Sequence, residues 1–291
     1  MTDRFAPGWR IGDYTIERDL GDSYEAKHVV LPRRVKLDVM QPQFAGLPPV
    51  AVRMMREACI LEAMRHPAVP RVFEVGVIAE ARTNRPWVAS ELVEGEVARG
   101  PLAPSEVLAL VRDVADVIAH THERGVVHRR LRLDAIVHGD GTRGFPLCVV
   151  DWSDARADES DEARAADVLA LGLLALHALT GQPQRVPRPA RELAPGAPSR
   201  LCMMIDDLVV DNPMSRPSAA EVRARAKLIV ETPHEDDEAI VEERVVLVDI
   251  SRGVPPPIPQ LDTRWTPPLG VTSAPPKPMP HSVGIGMLKP R

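Results

Sequence analysis

Cysteine is scarce and scattered. The 291-residue chain holds three, Cys59, Cys148 and Cys202, with no close pair among them. That spacing argues against a disulfide framework or a cysteine-ligated zinc site, and it suits a reducing compartment. A long hydrophobic run is also lacking. The most apolar stretch, residues 168–179, falls short of the roughly 20 residues a spanning helix needs and reads as a buried helix. No apolar core follows a basic segment at the N-terminus, so no signal peptide is visible. Nor is there a large excess of charge: 36 Lys and Arg face 41 Asp and Glu, a formal charge of −5. No global field favours nucleic acid or an anionic membrane. The expectation is a cytoplasmic chain that binds no nucleic acid and inserts in no membrane.

What the sequence does have in quantity is proline, 30 residues, crowded toward the end. Residues 253–291 combine these prolines with few large apolar side chains. Such a tail cannot bury enough surface to offset its ordering entropy, and it reads as disordered, locally polyproline II. Before it lie residues 231–252, an acidic stretch followed by a candidate short strand at Arg244-Val-Val-Leu-Val-Asp-Ile250. The folded part is therefore expected at residues 8–230. Residues 14–18, 23–30, 34–40, 71–77 and 87–93 read as strands, and residues 50–65 as a helix stopped by His66-Pro67. After about residue 95 the pattern turns helical. Ser105 reads as the cap of a long helix whose Val107, Leu110, Val111, Val114, Val117, Ile118 and Thr121 share one face. Residues 165–180 read as a central buried helix, and Ser218 with Glu221 as a capping box opening a last helix. A small β-rich lobe (about 8–95) followed by a larger helical one (about 96–230) is an α+β, two-lobe arrangement.

Several segments, in order, resemble bacterial serine/threonine protein kinases of the Hanks type. Val126-Val-His-Arg-Arg-Leu-Arg-Leu-Asp-Ala-Ile136 resembles the catalytic loop, usually H-R-D-L-K-P-E-N. Val149-Val-Asp151-Trp-Ser is similar to the D-F-G metal site, and Asp167-Val-Leu-Ala-Leu-Gly172 to the start of the central helix. Asp211-Asn-Pro-Met-Ser-Arg216-Pro-Ser is similar to the turn before the last core helix. Leu20-Gly21, Arg33-Arg34-Val35, Arg56-Glu57-Ala58 and Arg65-His66-Pro67 fit the small lobe. The resemblance covers about residues 12–230 and implies the two-lobe kinase fold.

Set against the family pattern, the chemistry is damaged. Phosphoryl transfer needs a loop over the phosphates, a lysine paired with a helix glutamate, two metal ligands and a base. The glycines expected after Gly21 are missing, leaving a short hairpin with Asp22. The resemblance places Asp38 at the lysine position, Arg130 at the catalytic aspartate and Ala135 at the metal-binding asparagine. Arginine offers only donors and stays protonated, so Arg130 cannot take a hydroxyl proton. Lys36, two residues from Asp38 on the same strand face, either reaches Glu57 or forms a weak surface pair with Asp38. Arg132 stands at the family's lysine, and Asp134 is a substitute ligand or a solvated carboxylate. Glu57, His128, Arg129, Asp151 and Asp167 are retained. In the family the last of these holds the catalytic-loop backbone.

The activation segment is shortened, with no A-P-E, so Arg216 needs a new partner, with Glu159 or Glu162 as candidates. Lys36, Ser90, Leu92 and Asp151 are weak nucleotide-contact candidates, with Ser90 at the gatekeeper position. No metal is expected, with Asp151 its one ligand if any, and ATP and Mg²⁺ are expected to bind weakly or not at all. The reading is a pseudokinase acting as a protein-binding or regulatory scaffold in bacterial signalling. The alternative is an atypical kinase or ATP-binding protein with residual transfer.

Overall fold

The computed structural model describes residues 4–231 apart from 46, 80–83, 140–141 and 185. The acidic stretch beyond 231, its candidate strand and the proline-rich tail lie outside the described residues. Apolar alternation builds the first lobe. Strands β1 (Arg10–Ile11), β2 (Tyr14–Asp19), β3 (Tyr24–His28), β4 (Arg34–Val39), β5 (Val72–Ala79) and β6 (Asn84–Glu91) form one antiparallel sheet. Their order is β1-β2-β3-β4-β6-β5. Along β4, Val35, Leu37 and Val39 are buried with Tyr14, Ile16, Tyr24 and Trp87, so Lys36 and Asp38 emerge together on the opposite face. That face belongs to the cleft described below. Helix α1 (Pro48–Ala63) starts two residues earlier than the periodicity predicts, because its paired prolines occupy first-turn positions where no N–H partner is needed.

The second lobe is helical. Short strands β7 (Glu96–Val97), β8 (Val126–Val127), β9 (Ile136–His138), β10 (Leu147–Val149) and β11 (Arg156–Ala157) accompany helices α2 (Pro104–His122) and α3 (Asp161–Thr180). Helices α4 (Ala190–Leu193), α5 (Ser199–Leu208) and α6 (Ala219–Glu231) complete it. All seven residues of the α2 face read from the sequence are buried. Ser105 does not cap that helix. It lies inside the first turn, and Ala103 is the N-cap residue, its backbone N–H donating to the Glu106 carboxylate at 2.8 Å. Pro104 displaces the cap by supplying a preset first helical φ.

Helix α3 begins four residues before the apolar run, at a polar first turn capped by Ser160, whose hydroxyl accepts from Ala163 N–H at 3.3 Å. By length and composition α3 could cross a bilayer. Its Val168, Leu171, Leu174 and Leu176 instead fill the core of the helical lobe. Gly172 is required there: a Cβ would come within 2.6 Å of a Val209 methyl, where α3 meets the end of α5. The Ser218–Glu221 box forms as read, with Glu221 accepting from Ser218 N–H at 2.7 Å.

Candidate functional site

The sheet, α1 and the loops of the helical lobe enclose a cleft of about 690 Å³. Apolar walls come from Ala58, Leu61, Val88, Leu92, Val137 and Val150, among others. Its ionisable lining is lopsided. Lys36, Arg130 and Arg132 face Asp22, Asp38, Glu57, Glu91 and Asp151, an excess of two carboxylates.

On the upper wall, Lys36 Nζ pairs with Asp38 at 3.0 Å rather than with Glu57. Burial works to lower the Lys36 pKa, but Asp38, then Glu57 and Asp151, bring it out above its ordinary value. Glu57 is pushed up, first by burial and then by the Asp38 carboxylate, with Lys36 offsetting only part of it. An acid therefore faces an acid where the resemblance implies a lysine. Ser90 lies opposite Lys36 in the β4–β6 register and is buried at the back of the cleft, beside Leu92. Beneath the sheet edge, residues 20–23 close a tight β2–β3 connection, with Leu20 N–H donating to Ser23 O at 3.0 Å. Gly21 adopts φ 96° and Asp22 lines the cleft.

On the lower wall, Asp151 is taken up by cations. One carboxylate oxygen lies 2.8 Å from Arg130 Nε and 3.2 Å from an Arg132 guanidinium nitrogen, and the other accepts from the Ser153 hydroxyl at 2.9 Å. Arg130 also reaches Asp154 at 3.2 Å, and those two carboxylates, Asp154 foremost, hold its guanidinium above its usual pKa. Arg132 turns its Nε to the exposed Asp134 at 3.0 Å. Ala135 is buried and offers no oxygen side chain. Arg53 of α1 donates to Ser153 O and pairs with Asp154, both at 3.0 Å, which fastens the shortened segment to the small lobe. Among the described residues no cluster of three or more His, Cys, Asp or Glu is arranged to hold a metal ion.

Behind this wall lies the retained scaffold. Asp167, fully buried on α3, accepts from His128 N–H at 2.8 Å and Arg129 N–H at 2.7 Å, and lies 3.0 Å from His122 Nε2. These bonds hold Arg129 at φ 65°, a conformation non-glycine residues seldom adopt. The His128 ring packs against Trp152 at a tilt of 56°, centroids 4.3 Å apart, and burial holds its pKa below the ordinary histidine value. Arg216 pairs with neither Glu159 nor Glu162. Its guanidinium donates to the carbonyls of Val210, Ala165 and Asp211, at 3.0, 3.0 and 3.3 Å. Main-chain oxygens in α3 and just after α5 satisfy these donors.

Sequence reasoning missed Arg53 and Asp154, because ion pairs between distant segments leave no periodicity. It also missed the Arg143–Glu91 pair, which joins the β9–β10 loop to the end of β6.

Two lobes around a cleft, with a buried aspartate holding the loop beneath it, define the two-lobe protein-kinase-like fold. No family profile matches the chain. Serine/threonine-protein kinase pkn2 of Myxococcus xanthus is 29% identical over 159 residues, covering 53% of this chain and 19% of that protein. PknE of Mycobacterium tuberculosis is 26% identical over 277 residues, covering 79% and 48%. The chain thus spans from about a fifth to about half of the curated relatives it matches. Among solved structures, the Mycobacterium tuberculosis PknI kinase domain superposes with a TM-score of 0.62 at 24% identity, covering 77% of this chain and 99% of that one. A point mutant of the same domain gives 0.61 at 25% identity. These similarities are to bacterial serine/threonine-protein kinases, and the solved structures show the fold they share with this chain.

Proposed function

We propose that this chain is a pseudokinase, a kinase-fold domain that works by binding proteins rather than by transferring phosphate. The observation that carries this reading is the occupation of Asp151 by Arg130 and Arg132. The carboxylate that would hold a metal is already neutralised, and the residue at the position of the base is one of the cations doing it. A general base contributes about 10² to 10⁴ in rate, and a charge-stabilising group about 10² to 10³. Losing the base, a metal ligand and the lysine together removes at least about 10⁶ if the effects multiply. From a kinase turnover on the order of 10 s⁻¹, about one event per day remains.

The rest of the reading follows from that loss. A cytoplasmic protein partner, a kinase or a kinase substrate, takes the place of ATP as ligand, with residues 253–291 as a docking or tethering tail. No cofactor is required.

The alternative is an atypical kinase or ATP-binding protein, favoured by the open 690 Å³ cleft and its apolar walls. Labelled ATP with Mg²⁺ or Mn²⁺, given to the full chain with and without a generic substrate, separates the two. The scaffold reading expects no incorporation that depends on Asp151. Incorporation abolished by Asp151→Ala establishes the alternative.

A further inference from the structure

A second groove, of about 670 Å³, lies away from the cleft where the turn after α1 meets the start of β5. Its rim carries Arg33, Arg65, Arg71 and Arg143, and its floor includes the buried Leu61, Met64 and Val69. One acid, Glu62, lines it, and Glu91 pairs with both Arg71 and Arg143 from behind. The groove keeps an excess of two positive charges. Arg33 lies over the Phe73 ring at 4.2 Å, and the exposed Arg65 has no hydrogen-bond or ion-pair partner among the described residues. His66, also on the rim, is held below its ordinary pKa by burial and adds no charge at neutral pH. Guanidinium groups around an apolar floor fit a peptide with carboxylates flanking apolar side chains.

The chain carries such a peptide. Residues 231–243 hold seven acids and no Lys or Arg. Glu235, Asp236, Asp237 and Glu238 precede Ala239, Ile240 and Val241, and Glu242 and Glu243 follow. Helix α6, which precedes this stretch, is linked to the groove rim through one aspartate. Arg223 of α6 pairs with Asp116 of α2, and the other oxygen of Asp116 lies 3.5 Å from His66 on the groove rim. From Arg223 the helix runs about 12 Å further to its end. The nine residues from there to Ile240 span up to about 30 Å when extended, enough to turn back and cover the distance.

We propose that residues 231–243 of this same chain occupy the arginine-rimmed groove, with Ile240 and Val241 over its floor and the flanking acids on Arg65 and its neighbours. The tail then covers a basic surface that an acidic partner segment has to compete for. This is independent of whether the cleft transfers phosphate.

Hydrogen exchange on the full chain tests it. Wild type is compared with a variant carrying Glu235→Gln, Asp236→Asn, Asp237→Asn and Glu238→Gln together, and with Arg65→Glu, a change at an exposed position. At low salt the amides of residues 65–73 exchange about three- to tenfold slower in wild type than in the neutralised variant. The difference collapses at about 0.5 M salt, where screening is strong. Arg65→Glu speeds exchange across residues 235–243. Equal exchange at residues 65–73 in wild type and the neutralised variant overturns the proposal, as does a tail indifferent to Arg65→Glu. Protection that fades on dilution also overturns it, because the occupant is then another copy.

Discussion

Asp167 and Asp151 sit on opposite sides of one loop and do opposite work. Asp167 is fully buried and faces two backbone N–H groups that have no other way to be satisfied. Asp151 is partly exposed and faces two long guanidinium side chains, 39% and 49% exposed, that water could serve as well. The first arrangement is architecture, and it matches what the family resemblance implies. The second is a set of ion pairs at the lining of the cleft. One acid holds main chain together inside the helical lobe, and the other stands at the lining of the cleft.

The sharpest way to break this contrast is to remove each aspartate in turn. Asp167→Ala strands two buried donors and should cost about 3–5 kcal/mol in urea unfolding. Asp151→Ala removes a half-exposed pair and should cost about 1 kcal/mol or less. Similar losses at the two sites would show that Asp151 is structural too.

Acid sharpens the comparison from another side. Burial holds His66, His120 and His128 below the ordinary histidine pKa. Below about pH 6.5 the unfolded chain therefore binds more protons than the folded one, so stability falls as pH drops through that value toward the depressed folded ones. Thermal unfolding at pH 7.5 and 5.5 should show a lower midpoint in acid. Glu57 has the reverse sign. Its raised folded value means that its charged form opposes folding at neutral pH, an opposition lost as pH falls through that value. Glu57→Gln should leave the pH 7 midpoint unchanged or slightly raised; a clear drop would mean that Glu57 does pair with Lys36.

The smallest effect concerns thiols. Cys148 is buried, its pKa pushed up to about 12, and Cys202 is also raised by burial, while Cys59 on α1 is exposed. A thiol reagent should modify Cys59 alone in the native chain, with a second fast site contradicting the packing around β10 or α5.

How far the sequence could be read depends on the range of the interaction. The α2 face and the Ser218–Glu221 box were legible because periodicity and capping are local. The motif order drew attention to Asp38 and Arg130, and both line the cleft. The α3 start was not, because its first turn is polar and only Ser160 marks it. Arg216 misled because its donors settle on carbonyls, which every residue carries and no sequence pattern reveals. Arg53, Asp154 and the groove of Arg33, Arg65, Arg71 and Arg143 are assembled from segments far apart in the chain, so nothing local announces them.

The central claim, that the cleft's own arginines stand where metal and phosphate would go, is met most directly by binding. Titration of the full chain with Mn²⁺ and millimolar ATP, against the Asp151→Ala variant, should show no saturable metal-dependent binding in either. Saturable binding that requires Mn²⁺ and disappears in Asp151→Ala would contradict it.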